Sequence, residues 1–418
     1  MSRTKKSFWL TLSLVNLAIT ALLGLMLRSK ILFELPSVNY RNFLSAHSHF
    51  AFGGWVGLVL LTLLIYEVLS PEASSKKIYQ WILWTTEISS LGMAFTFPFW
   101  GYTAISILFS SAYIVVMLVF LWNFSRDVIH HPDRNVKWLS LSAMAAMLIS
   151  FLGPLGLSWI LLSRGGNSIL YRDSIYLFLH FQYNGFFTLS IFALYFNWIS
   201  RNAKPATKAA PFTIALCLAV IPSVFLALLW HNKIIFYWLA GTGSLLSVCA
   251  VFFLVIMTKK AAVSPFKEKL SILFWRLSLF SFALKMILLS GTIFPRLGNA
   301  IYGDRPAIIG FLHLVFLGFV TFYAHASIMR DDLFLRKGKI IRAPFIVFAL
   351  GIIANEVLLS MRGLGVLFEM NSPLYDLLLW IAALLLFTGA VFLVAARLRV
   401  IQTNRSEEKV ISPRHSSS

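Results

Sequence analysis

The stretch "LHFQYNGFF", Leu179 to Phe187, sets His180, Gln182 and Asn184 inside a long apolar run. An ionisable group in a membrane span is costly to insert, so such residues are functional candidates by default. Four more histidines hold comparable positions: His47 and His49 in "SAHSHFAFGGW", His231 in "LLWHNK", and His313 in "GFLHLVFLGFV". Neutral imidazole is the commonest metal ligand. Histidines from several helices at one depth can hold a metal or haem between them. His180 and Asn184 are four apart and share a helix face, so Asn184 can bond a ligand in the same pocket. Tyr183 and Gln182 are the other pocket candidates. His47 and His49 point about 200° apart on a helix. One of them faces the bundle, and we prefer His47.

The elements that must carry these residues are membrane helices. The chain has 418 residues, 59% hydrophobic and 12% charged. A soluble domain is about half apolar and about a quarter charged. Apolar runs of about 20 residues recur, each long enough to cross a bilayer. Twelve spans are expected, at roughly 8–27, 44–68, 78–98, 102–124, 138–162, 174–199, 210–231, 235–258, 270–294, 306–328, 343–361 and 374–396. The expected fold is an all-α polytopic bundle. Residues 1–400 form one transmembrane domain without an internal repeat, and 401–418 form a polar, disordered tail. The two cysteines, Cys217 and Cys249, lie in apolar runs and form no CxxCH or paired metal motif.

Basic residues set the orientation. Of the 36 Lys and Arg, 25 fall on the side of the N-terminus, 9 on the opposite side, and Arg276 and Lys285 inside span nine. Both termini are therefore expected in the cytoplasm, in an inner (plasma) membrane. The net charge of +20 sits in short loops, which argues against a nucleic-acid partner. With that orientation, His47, His49, His180, His231 and His313 all fall in the outer third of the membrane. His325 lies about 18 Å further along span ten. An interfacial hydrogen-bonding role is the plainer reading for His231 and His325.

Other polar groups are buried. Glu87 in "WTTEISS", Lys285 and Glu356 in "IANEVLL" are proton-path candidates. The plainer reading pairs Lys285 with Glu356 as a helix lock. Arg296 and Arg362 follow spans nine and eleven, where a bidentate guanidinium suits a carboxylate.

Twelve spans with histidines on spans two, six, seven and ten resemble subunit I of the haem-copper oxidase superfamily. "HFQYNG" looks like the "HLWVEG" of the nitric oxide reductases. The resemblance implies haem of b or another type, one or two per chain. His47 or His49 and His313 would be haem ligands, and Arg362 and Arg296 propionate partners. His180 and His231 would hold copper or iron at a second site. It also implies terminal-oxidase or reductase chemistry, a separate electron donor (cytochrome c or quinol) and partner subunits. The departures are specific. Span seven reads His231–Asn232 where the family has two histidines, and His313 stands alone on span ten. Asn184 replaces the family's Tyr or Glu. Two alternatives stay open: a secondary transporter, and a degenerate assembly subunit without catalysis.

Overall fold

The computed structural model describes residues 2–163, 166–202, 209–260, 265–298, 305–336, 339–367 and 372–411. Among the described residues, twelve long helical segments form one bundle. Eleven are long and apolar enough to cross a membrane: Thr4–Leu32, Tyr40–Val68, Ala104–Val128, Arg134–Ser163, Ser168–Asn202, Ala209–His231, Ile234–Thr258, Lys269–Gly291, Pro306–Arg330, Ala343–Gly363 and Leu374–Asn404. They are spans one, two and four to twelve. Span three, Lys77–Trp100, is as long but carries Thr85, Thr86, Glu87, Ser89 and Ser90 at its middle. This is the all-α polytopic membrane fold the sequence predicts.

Spans two and six are central, with 78% and 83% of their apolar stretches buried. Span four is peripheral, at 22%, and turns Leu108, Val115 and Trp122 outward. An apolar outer face is what a helix in lipid requires.

The central spans are not uniform α-helix. Span two widens to π-helical geometry over Ala51–Gly57, span six over Phe181–Phe187 and span ten over Leu314–Thr321. Each of these three wide turns starts within two residues of a histidine, His49, His180 or His313; a fourth, Leu64–Val68 of span two, does not. Threonines close two of them. Thr188 Oγ1 donates to the Tyr183 carbonyl at 2.6 Å, and Thr321 Oγ1 to the Phe316 carbonyl at 2.8 Å. Each reaches five residues back, the spacing of a π turn. Such turns are rare and concentrate at functional sites.

One end of the bundle is clasped by charge. Lys6 Nζ lies 2.8 Å from Glu67 and 2.5 Å from Asp331, and Arg330 lies 2.6 Å from Glu67. Arg397 of span twelve donates to Ser7 Oγ at 2.6 Å and to the Leu333 carbonyl at 2.7 Å. The start of span one and the ends of spans two and ten therefore share one end. The chain alternates across the bundle as the span count requires.

The last helix runs Leu374–Ile411, into the stretch expected to be a disordered tail. Extending an existing helix costs far less than nucleating one. Residues 412–418 lie outside the described residues.

Candidate functional site

A cavity of about 210 Å³ lies among spans one, two, ten, eleven and twelve. His47 and His313 both line it, with apolar walls from Phe52, Trp55, Phe316 and Phe348.

Each ring is held the same way. His47 Nδ1 sits 3.0 Å from the Thr20 carbonyl, and His313 Nδ1 sits 2.8 Å from the Ile309 carbonyl. A carbonyl oxygen can only accept, so the proton is on Nδ1 in both rings. Each Nε2 then keeps its lone pair, with no partner among the described residues. This is the arrangement of metal-ligating histidines, whose other nitrogen donates to a carbonyl or carboxylate. Gly24 of span one faces the His47 ring. A Cβ there would come within 3.1 Å of Cε1, so the glycine leaves room for the imidazole.

Arg28, Tyr40 and Asn355 add polar groups to the cavity wall. Arg28 also lies in the electrostatic reach of Arg362 and Asp376. Arg362 is bonded to Asp376 and does not line the cavity. Arg296 is exposed, away from it. The basic side chain on the cavity wall is Arg28, near the end of span one. His49 turns the other way. Its ring packs 4.6 Å from Phe97 and 6.0 Å from Tyr102. The residues lining the cavity fit one haem with two imidazole ligands, an apolar macrocycle pocket and a basic residue for its carboxylates.

The second metal site implied by the resemblance does not fit. His180 Nε2 donates to the Val220 carbonyl at 2.8 Å, and Nδ1 accepts from Asn184 Nδ2 at 3.3 Å. No lone pair remains for a metal. His231 is far along the bundle, bonded through Nε2 to Asp173 Oδ2 at 3.0 Å and stacked on Trp230. Asp173 precedes His180 by seven residues, about 10 Å of helix. His180 and His231 are therefore not brought together. Among the described residues, no three His, Cys, Asp or Glu side chains group to hold a metal.

Lys285 occupies the polar core beside His180 instead. Its Nζ lies 2.5 Å from Thr188 Oγ1, 3.1 Å from Asn184 Oδ1 and 3.3 Å from the Tyr183 carbonyl. All three ammonium protons are used. Phe319 and Phe282 present their rings at 5.2 and 5.7 Å. The expected lock with Glu356 is not formed. Glu356 bonds its neighbour Asn355 at 3.2 Å. Gln182 turns toward span five and donates to Ser150 Oγ at 2.9 Å. The tyrosine ring of residue 183 packs edge-on to Phe311 at 5.6 Å.

Between this polar core and the cavity stand four phenyl rings. Phe52 meets Phe316 at 4.5 Å, Phe178 at 5.6 Å and Phe187 at 5.7 Å. A void near Tyr183 is about 30 Å³, the room of a water. His325 is buried among Phe274, Phe345, Phe348 and Trp55, outside the cavity.

No family model matches this sequence, and no curated protein is similar to it in sequence. The fold is shared with a solved heme-copper terminal oxidase, a dimer determined by cryo-EM. The TM-score is 0.69 at 14% identity, over 94% of this chain and 84% of that one. The chain is thus a multi-pass membrane protein with a terminal-oxidase fold.

Proposed function

We propose that the chain is a respiratory electron-transfer protein of the inner membrane. His47 and His313, on spans two and ten, would hold one haem between them. The observation that carries this reading is the shared set of the two rings. Both donate Nδ1–H to a helix carbonyl and leave Nε2 free at one apolar cavity. The oxidase fold of the solved neighbour supports it.

A bound haem supplies reversible one-electron transfer. The chain's own residues supply the rest. Thr20 and Ile309 fix the ring orientations, and Gly24 clears space for His47. Phe52, Trp55, Phe316 and Phe348 exclude water. Arg28 would hold the cofactor's carboxylates. A haem held by both imidazoles would supply electron transfer and not gas chemistry. Electrons come from a separate donor, a quinol or a c-type cytochrome, and partner subunits supply any gas chemistry.

The test is the optical spectrum of the detergent-purified protein, oxidised and dithionite-reduced, with and without carbon monoxide. Sharp reduced bands that ignore carbon monoxide support the reading. A carbon monoxide shift makes the haem five-coordinate and revives the reductase alternative. No Soret band after expression with supplied haem rejects it.

A further inference from the structure

Span eleven carries a carboxyl group that neither the cavity nor the polar core uses. Glu356 lies seven residues before Gly363, about 10 Å inside the end of the span. Asn355 Nδ2 donates to its Oε1 at 3.2 Å. Among the described residues, Oε2 has no hydrogen bond and no charged group acts on the carboxyl. Acids elsewhere in the spans have partners within the protein. Asp173 has His231, Glu67 has Lys6 and Arg330, and Glu87 accepts from Asn16 Nδ2 at 2.7 Å.

The helix geometry says where Glu356 looks. Asn355 is 4% exposed and lines the cavity. One residue on is a turn of about 100°, which brings Glu356 to the edge of the outward face. Leu350, Ile353, Val357 and Met361 make that face, each between 44% and 55% exposed. Glu356 itself is half-buried, so its carboxyl is not sealed inside the bundle.

An acid left unpaired at such a position costs a few kcal/mol. One amide from the adjacent residue, at the long end of the hydrogen-bond range, offsets little of that. A cation on a neighbouring helix removes the cost. Among the described residues, a second copy of this chain has no cation free at this depth. Lys285 gives its protons to Thr188, Asn184 and the Tyr183 carbonyl, and Arg28 lines the cavity. Arg172 rests on the rings of Trp230 and Tyr176. Arg276 lies near the start of span nine, at the other end of the bundle.

We propose that Glu356 anchors an interface with a transmembrane helix of a second, different polypeptide. That helix brings a Lys or Arg side chain to the carboxylate in the same half of the membrane. Leu350, Ile353, Val357 and Met361 pack around the ion pair. Polar contacts of this kind hold membrane helices together. The proposal does not rest on the haem reading, and its readout involves no cofactor.

The experiment is site-specific photo-crosslinking in native membranes. Val357→p-benzoylphenylalanine places the reactive group on the exposed position beside Glu356. The expected product is an adduct to one other polypeptide. Mass spectrometry should place the cross-linked peptide in a membrane span with a Lys or Arg in the matching half. E356Q in the same background is expected to lose the adduct, and E356D to retain it. Dicyclohexylcarbodiimide, an apolar reagent for carboxyl groups reached from lipid, should label Glu356 in the chain purified alone. In native membranes Glu356 should be protected. Adducts to lipid alone, or to a second copy of this chain, overturn the proposal. So does an adduct that persists in E356Q, or one to a span without a basic residue. Equal carbodiimide labelling in the two states overturns it as well. Should E356Q fail to accumulate, the identity of the cross-linked span and the carbodiimide protection still decide, because neither needs a change at Glu356.

Discussion

Lys285 Nζ donates to Asn184 Oδ1 at 3.1 Å, and Asn184 in turn donates to His180. One amide thus links a span-nine ammonium to the span-six imidazole. The pocket that a metal would occupy in the resembling family is closed from within by a side-chain cation. A lysine cannot leave the site, and it uses up the oxygen that would support a second ligand.

The network predicts a stability effect. Lys285→Met leaves the Asn184 oxygen and the Tyr183 carbonyl buried with less donation. An unsatisfied buried acceptor costs roughly 1–3 kcal/mol. Part of that is offset, because the variant no longer buries an ammonium. We expect a destabilisation of about 2 kcal/mol, read as a lower thermal midpoint in detergent. An unchanged midpoint means the contacts contribute nothing.

The histidines should separate into two groups. His47→Ala and His313→Ala each remove one axial ligand, so the six-coordinate spectrum is lost. His49→Ala, His180→Ala and His231→Ala are expected to keep it. Metal analysis of the wild type should find about one iron and no stoichiometric copper. Copper at one per chain would contradict the closed second pocket.

Gly24 gives a steric test. Gly24→Leu drives a side chain into the His47 ring, where even a Cβ is at 3.1 Å. Haem content is expected to drop severely, while the elution profile and helical circular dichroism stay unchanged. Full haem content in this variant would place the cofactor elsewhere.

Arg28 and Arg296 make a matched pair. Arg28→Gln is expected to weaken haem retention by about tenfold, the loss of one charge-assisted contact worth about 1.4 kcal/mol. Arg296→Gln, on an exposed residue, should do nothing. Haem loss during size-exclusion chromatography is the measurement.

The charge clasp also carries stability. Glu67 binds both Lys6 and Arg330, with its side chain only 12% exposed. Glu67→Gln leaves two partly buried cations short of a partner, at a cost of about 3 kcal/mol. Thermal melts of the variant should show it as the largest loss among these substitutions.

Several of these residues were legible in the sequence, and others were not. His47 and His313 stood out because imidazole is rare in apolar helices. Their common depth followed from the span order alone. His180 stood out equally, yet it bonds the Val220 carbonyl. Depth does not say which way a ring points. Arg28 carried no signal, since nothing local marks an arginine at a helix end as a cavity group. Gly24 and Thr20 carried no signal, because a small residue and a backbone carbonyl are features of every helix.

The sequence by itself determined the bundle, its span order and the end at which most charge collects. Apolar length and charge asymmetry are one-dimensional quantities, and the bilayer fixes their meaning. The tertiary structure decided which buried polar groups meet. Lys285 found Thr188 and Asn184 instead of Glu356, and Glu87 found Asn16, a partner 71 residues away. Such pairings depend on helix rotation and on π turns at Ala51–Gly57, Phe181–Phe187 and Leu314–Thr321. A wide turn re-aims every side chain after it. That rotation is set by packing between helices, so it is absent from any single stretch of the chain.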